Sequence, residues 1–268
     1  ENENYFTDGK FIITKNGGKL VLGCNTPEVI IPDGVTEIAE NAFIGCDKIT
    51  SVSIPASVTK LNKLAFRGCT AIESITVAVE NTAYYSANNA VLLKDVAEVT
   101  LVLGCKTTVI PEDVIVIGDY AFYGVSGLSE ITIPGSVKTI GNYAFANTGV
   151  LEIRLPASVT AIGDGAFEGC SKLNKVITPD GSALETIGSA AFRNCAELKL
   201  IVIPGTIENI ATDALDKTVK IYWKGTKAEF EASAVATVLS GATVYYYSGS
   251  NNPGCWYYKD NGTNVDIW

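Results

Sequence analysis

Two stretches of the sequence decide the fold: SIPASVTKLNKLAFRGC, residues 53–69, and RLPASVTAIGDGAFEGC, residues 154–170. Each has an apolar residue before a proline and, eleven residues after that proline, the phenylalanine of an Ala-Phe pair. The pair recurs at Phe43, Phe66, Phe122, Phe145, Phe167 and Phe192, and the series closes with Ala214-Leu215. The phenylalanine spacings of 23, 56, 23, 22 and 25 residues indicate a unit of about 23 residues that repeats seven times, with one long insertion.

Each unit predicts a strand followed by a compact apolar segment. Ile49, Val52 and Ile54 have an L-x-x-I-x-I spacing, and the last two alternate as in a strand with one buried face. Proline at position 55 cannot donate the next ladder hydrogen bond, so the strand ends there. The apolar residues of 58–66 follow at steps of three, four and one, which favours a short helical or 3₁₀ segment. In four units a glycine follows the isoleucine of this segment, where we expect a tight bend: Gly118, Gly141, Gly163 and Gly188.

Stacking of the units follows from their apolar content. One unit alone cannot bury both its strand side chains and its phenylalanine, whereas neighbouring units can bury them against each other. We therefore predict an α/β solenoid: a right-handed superhelix with a parallel sheet along one side and short helical segments opposite.

The repeat resembles a known family. The stretches LSEITIPGSVKTIGNYAFANT, VLEIRLPASVTAIGDGAFEGC and LKLIVIPGTIENIATDAL are similar to the BspA-like leucine-rich repeats of bacterial surface proteins, over about residues 26–223. The chain differs from the commoner leucine-rich pattern because it lacks the asparagine ladder and has proline after the strand. The resemblance implies a secreted or cell-surface binding protein, in some members an adhesin for host proteins, and it transfers no catalytic residues.

Two segments outside the regular repeats are related to each other. Residues 5–24 and residues 84–105 both begin with an aromatic pair and end in Leu-Val-Leu-Gly-Cys. In the first, apolar runs flank Asn16-Gly17-Gly18, which is a strong hairpin signal. We predict that residues 1–25 form a hairpin cap over the N-terminal end of the core. A second hairpin, inserted at about 78–105, should project from the middle of the solenoid.

The C-terminal residues 224–268 should form a second cap, because an exposed last unit would leave core open to water. Thr226 and Glu229 form a capping-box pattern that should open a helix reaching about Leu239, with Gly241 ending it. The stretches TVYYYS and CWYYKDNGTNVDIW should then form strands, with a turn at Asp260-Asn261-Gly262. The aromatic residues of this cap either pack on the last repeat or form a platform on which sugars stack.

Composition excludes several classes of function. The net charge of −9 disfavours nucleic acid and anionic membrane surfaces as partners, and no apolar run approaches the ~20 residues that span a bilayer. Histidine is absent, so no Ser-His-Asp triad or histidine-type zinc site can form, and we expect no cofactor or metal. The sequence does not begin with methionine, which we interpret as removal of a leader and weak support for export.

The outward side chains of the predicted strands form the candidate binding face. Strand alternation makes this face hydroxylated at one end, charged in the middle and apolar at the other end. The apolar end is either covered by the C-terminal cap or exposed for a partner. The candidate ligand-binding residues are Glu130, Thr132, Glu152, Arg154, Lys175, Ile177, Leu200 and Val202.

The resulting function is non-enzymatic: an exported bacterial surface protein that binds a protein or glycan ligand through this face. Glu130 and Glu152 lie on adjacent units and could act as a glycosidase pair, but the cations beside them favour ordinary charge compensation. A structural spacer that displays another domain is the other alternative. The cysteines three residues after the repeat phenylalanines are interpreted as small buried residues, with metal or disulfide use as the alternative: Cys46, Cys69, Cys170 and Cys195.

Overall fold

The chain forms a β-solenoid in which each turn, here called a rung, pairs with the rung before it. The computed structural model describes residues 4–16, 18–94, 96–247, 255–259 and 264–267. In chain order the elements are β1 (Tyr5–Thr7), β2 (Ile12–Thr14), β3 (Lys19–Leu22), β4 (Glu28–Ile30), β5 (Glu37–Ile38), β6 (Ser51–Ile54), β7 (Lys60–Leu61), β8 (Ser74–Val77), β9 (Tyr84–Ala87), β10 (Ala90–Leu93), β11 (Thr100–Leu103), β12 (Val116–Ile117), β13 (Thr139–Ile140), β14 (Glu152–Arg154), β15 (Ala161–Ile162), β16 (Lys175–Ile177), β17 (Thr186–Ile187), β18 (Leu200–Pro204), β19 (Asn209–Ile210), β20 (Lys220–Lys224), α1 (Lys227–Ala232), β21 (Val244–Tyr247), β22 (Cys255–Lys259) and β23 (Asn264–Ile267).

A regular rung contributes a strand to each of two faces. The longer strands β4, β6 and β8 form one parallel sheet, and β14, β16, β18, β20, β21, β22 and β23 form a second sheet in that order. These two sheets make up the long-strand face. The two-residue strands make up the short-strand face, where β5 pairs with β7, and β12, β13, β15, β17 and β19 continue in parallel. The right-handed sense of the solenoid stays a prediction.

The expected helical segment of the repeat is a strand and a turn. Leu61 of β7 pairs with Ile38 of β5, and the amide groups of Thr59 and Lys60 both donate to Thr36 O of the preceding rung. Peptide groups that bond to a neighbouring rung are not available for the i to i−4 bonds of a helix. The apolar spacing of 58–66 therefore comes from a short strand entering a turn, and the predicted α/β class is replaced by a β-solenoid.

The core is built on stacked phenylalanine rings, one from each rung. Phe145 lies between two parallel rings, with centroid distances of 5.0 Å to Phe122 and 5.3 Å to Phe167, and Phe167 is 5.3 Å from Phe192. A shorter stack joins Phe43 to a second ring at 4.8 Å. The repeated Ala-Phe pair is thus explained by packing, because within each stack the ring of one rung covers the face of the ring in the next.

The two hairpins divide these stacks. β1, β2 and β3 form the N-terminal hairpin, and β9, β10 and β11 form the insertion hairpin, which continues in parallel into β12. The amide of Gly104 donates to Ala121 O at 2.8 Å, the bond that a repeat phenylalanine makes elsewhere, and its Cα lies against the Phe122 ring. Gly23 has the same place over Phe43. The insertion hairpin is therefore embedded in the solenoid, where Val91 is fully buried, and the expectation that it projects is wrong.

The glycines after the repeat isoleucines allow the preceding rung to approach their backbone closely. They do not make the expected bend, since none of the four has a positive φ. A Cβ on Gly163 would lie 2.6 Å from Asn142 Oδ1. That oxygen instead accepts the amide of Asp164 at 2.8 Å, which links two rungs. The same bond at 2.8 Å connects Asp119 to Asn142 and Asp164 to Ser189, so a ladder of polar side chains runs along the turns.

The helix of the C-terminal segment is shorter than predicted. Thr226 and Glu229 form the expected capping box, with the Glu229 amide 3.2 Å from Thr226 Oγ1. The helix ends at Ala232 because Ser233 is extended and its hydroxyl donates to Phe230 O at 2.6 Å. Turns replace the predicted helix up to Leu239. Strands β22 and β23 pair as predicted, and their proposed turn at 260–262 lies outside the described residues.

Candidate functional site

The charged middle of the long-strand face follows the predicted alternation. Ile153 in β14 and Val176 in β16 are fully buried, so the side chains on either side of them point outward. Glu152 pairs with Lys175 and Arg154 with Ile177 in the parallel register of these two strands. The sheet thus brings together three of the predicted charged residues.

These three residues form one ion-pair cluster. Glu152 Oε1 lies 2.5 Å from Arg154 Nη2, and Glu152 Oε2 lies 2.8 Å from Lys175 Nζ. Both carboxylate oxygens are therefore engaged by cations. This arrangement suits charge compensation better than the nucleophile or proton donor of a glycosidase, which must present an oxygen to the sugar.

Glu130 and Thr132 lie on a segment where the sheet is interrupted. Residues 130–133 form no strand, and among the described residues their backbone makes no hydrogen bond with a neighbouring rung. The last bond before the interruption is from Leu151 N to Ser129 O at 3.0 Å. Glu130 has no ion-pair partner in the described part of the chain, so its carboxylate is available to a ligand.

A groove of about 730 Å³ opens at this interruption. The segment that carries Glu130 and Thr132 forms one wall, and β14 with Leu151 forms the other. Leu151 is 41% exposed, which gives the groove an apolar contact beside its charges. The sequence of this rung, SEITIPG, has the same alternation as its neighbours, so no signal in it could have revealed that its strand does not pair.

The apolar end of the face is covered by the chain itself. Ile177 and Val202 are 3% and 0% exposed, because Tyr222 and Trp256 pack over them, and Leu200 is half-buried against the same cluster. Trp256 is held in place by its indole N–H, which donates to the Trp223 carbonyl at 2.9 Å. Ile177 and Val202 cannot contact a ligand in this structure, so the prediction that these two residues contribute to binding is corrected, while the role of the half-buried Leu200 stays a prediction.

The repeat cysteines are buried and hydrogen-bonded to the backbone. The thiols of Cys69 and Cys195 donate to the carbonyl of the phenylalanine one rung earlier, at 3.0 and 3.1 Å. Burial raises the pKa of each of these thiols to about 12, so neither is a nucleophile near neutral pH. Thr148 takes the same position and donates to Phe145 O of its own rung at 2.8 Å, and Val125 takes it in another rung without a side-chain donor, so the shared requirement is a small buried residue.

No three metal-ligand side chains converge within the described part of the chain. In the same residues, no helix has the length and apolar character that crossing a bilayer would require.

Comparisons with known proteins agree with this architecture. Residues 18–96 and 103–222 match the family described as "BspA type Leucine rich repeat region (6 copies)". The structure of the pneumococcal vaccine antigen PcpA is 19% identical with a TM-score of 0.56, over 84% of this chain and 69% of that one. A leucine-rich repeat protein from Eubacterium ventriosum is 18% identical with a TM-score of 0.56, over 97% and 98%.

A third solved structure, a leucine rich cell surface protein from Faecalibacterium prausnitzii, is 22% identical with a TM-score of 0.46. The match covers 76% of this chain but 62% of that protein's length. A search of curated protein sequences found no significant match. Since the family match extends over most of its residues, the chain belongs to the BspA-type leucine-rich repeat family.

Proposed function

We propose that this chain is part of an exported bacterial surface protein that binds a ligand, without catalysis, through its long-strand face. Family membership supports a repeat scaffold, and the scaffold itself would extend over residues 26–223 between caps at 1–25 and 224–268. One structural relative is described as a vaccine antigen and another as a cell surface protein, which is in keeping with this location.

The single observation that carries the proposal is the groove at the interrupted rung. A paired sheet leaves only side chains for a ligand, whereas here the backbone of 130–133 makes no hydrogen bond with a neighbouring rung among the described residues. Unpaired strand edges bind extended polypeptide by adding a strand, and nearby side chains then select the sequence. The ligand class that fits best is therefore a protein segment in extended conformation.

Charges at the groove would select among such segments. Glu152 and Arg154 lie on one wall, with Lys175 bound to the same carboxylate from the next strand, while Glu130 lies on the other wall and has no ion pair among the described residues. Leu151 offers an apolar contact between them. A segment with a basic residue facing Glu130 and an apolar residue facing Leu151 would match this pattern.

The test is a binding screen of the purified chain against extracellular-matrix proteins, mucins, peptides and a glycan array. A Glu152→Lys, Arg154→Glu, Lys175→Glu variant and a Leu151→Arg variant run beside it. The matched control is Glu168→Lys with Arg193→Glu, an ion pair of 2.6 Å on the turns away from the groove. Circular dichroism first confirms that each variant folds.

We expect a protein or peptide ligand that the groove variants lose and the control keeps. A glycan ligand lost in the same variants would keep the site and change its ligand class. A ligand that all variants retain would remove the site from this face, and absence of any ligand would favour the structural spacer. Release of reducing sugar that Glu152→Gln abolishes would instead establish the glycan-active enzyme.

A further inference from the structure

The two hairpins are copies of one three-stranded unit. β1 pairs with β2 as β9 pairs with β10, and the next strand pair carries an irregularity at the same place, at Ile12 in one hairpin and Val91 in the other. In both, a lysine amide closes the unit at 2.9 Å: Lys15 N donates to Asn4 O, and Lys94 N donates to Ala83 O. The faces of the two units can therefore be compared residue by residue.

The insertion hairpin is a joint with two buried faces. Leu92 and Leu101 on one face pack into the core of the C-terminal rungs. Tyr84 and Val91 on the other face pack into the core of the N-terminal rungs, and Leu103 lies against that core. Each face thus receives a rung.

Polar contacts seal the joint to the rungs before it. The hydroxyl of Tyr84 accepts the amide of Leu61 at 3.0 Å. Asn81 is buried, and its side-chain nitrogen donates to Pro55 O at 2.9 Å and to Val58 O at 2.8 Å. These contacts hold the hairpin against residues that come 23 to 26 positions earlier in the chain.

The N-terminal hairpin has the same two faces, but only one is covered. Ile13 and Leu20 of its inner face, which correspond to Leu92 and Leu101, are buried against the first rung. On its outer face Tyr5, Ile12 and Leu22 are 41%, 37% and 48% exposed. These three correspond to Tyr84, Val91 and Leu103 of the insertion hairpin. The outer face is therefore built from side chains that the other copy packs against a core.

The sequence that carries Asn81 is also repeated before the N-terminal hairpin. Glu1-Asn2 precedes Tyr5 at the spacing at which Glu80-Asn81 precedes Tyr84. Asn2 lies outside the described residues, so this match is one of sequence alone. The sequence element that contacts a preceding rung in the insertion hairpin therefore recurs before Tyr5.

We propose that the outer face of the N-terminal hairpin is a docking surface for a BspA-type rung that is joined directly upstream of it in the same polypeptide. The rung would contact Tyr5, Ile12 and Leu22 as residues 55–77 contact the insertion hairpin. A rung in the same polypeptide fits because the corresponding connection to the insertion hairpin, from the end of β8 to Tyr84, is only six residues long and includes Asn81. The hairpin would then connect successive blocks of repeats.

The test adds the missing neighbour. A copy of residues 26–79 is fused ahead of Glu1 of the full chain, so that it enters Tyr5 as the native block enters Tyr84. Hydrogen exchange of the amides of residues 5–14 should slow by at least about tenfold in the fusion, and the melting temperature of this region should rise. In a matched fusion with Ile12→Ser and Leu22→Ser, the protection should fall back to that of the unfused chain.

Two further measurements keep the proposal falsifiable if the fused block does not fold. Val91→Ile gives the insertion hairpin the same three outer side chains as the N-terminal hairpin, so it should leave the melting temperature almost unchanged, and a large loss would contradict the equivalence. Sedimentation of the unfused chain tests the other occupant: a dimer that Ile12→Ser dissociates would assign the face to a second copy and overturn the proposal. Unchanged exchange in a folded fusion would also overturn it.

Discussion

Replacing Phe145 by alanine should be among the most destabilising single changes in the chain. The ring is fully buried and stacked on both sides, 5.0 Å from Phe122 and 5.3 Å from Phe167. Loss of the buried ring and the cavity left behind should cost ~3–5 kcal/mol. The matched variant is Phe66→Ala, which removes an equal ring with one stacked neighbour, Phe43 at 4.8 Å.

The difference between the two variants tests the reasoning. An aromatic pair contributes about 0.5–1.5 kcal/mol beyond its buried area, so Phe145→Ala should be more costly than Phe66→Ala by about one such pair. Urea unfolding followed by circular dichroism gives both free energies, and Phe145→Leu, which keeps most of the apolar volume, should be milder than Phe145→Ala. An equal or larger loss in Phe66→Ala would refute the view that stacking across rungs sets the stability of the core.

Three other predictions concern positions with a defined physical role. Gly104→Ala should lower the melting temperature strongly, since its Cβ would lie 2.1 Å from the Phe122 ring. Gly135→Ala should change the melting temperature little, because there is open space around this glycine. Differential scanning calorimetry compares the two variants. Cys69 and Cys195 should resist iodoacetamide at about pH 8 in the native protein and react after unfolding, because burial raises the pKa of both thiols. Mass spectrometry measures the labelling, and fast labelling of the native protein would contradict the burial. Glu37 has a lowered pKa because Lys19 and Lys60 bond to its carboxylate. Its contribution to stability is therefore present above the pKa of the unfolded state and is lost as the pH falls through the pKa of the folded state. Between about pH 5 and pH 3, Glu37→Gln should lose less stability than the wild type in urea titrations.

Much of the fold could be read from the sequence because its units are repeated. The strands before most of the repeat prolines and the two related hairpins are local patterns, and the structure contains them at the predicted places, although the residues before Pro111 and Pro134 form no strand. The segment 58–66 was misjudged as helical because apolar steps of three and four also arise when a two-residue strand enters a turn. The partners of its amides lie one rung away, and a local spacing carries no information about them.

The candidate site was predictable only in part. Alternation places Glu152 and Arg154 correctly, since it is a property of one strand. The interruption at 130–133 is an absence of pairing with the neighbouring rungs, which a local pattern does not determine. The cover over Ile177 and Val202 comes from Trp256, a residue far along the chain, and the sequence alone favours that cover only slightly over an exposed patch.

Gly104 has a consequence for how the molecule responds to load. Because Gly104 takes the place of a ring, the stack that ends at Phe66 is separated from the stack that begins at Phe122. A cavity of about 20 Å³ lies between Phe66 and Gly104. Contacts on the turns, from Lys63 to Asp119 at 2.7 Å and from the Arg67 guanidinium to the Tyr123 ring at 5.4 Å, bridge the seam. Under a pulling force or in denaturant, we expect the chain to yield first along this seam, as two cooperative units with a weak coupling between them.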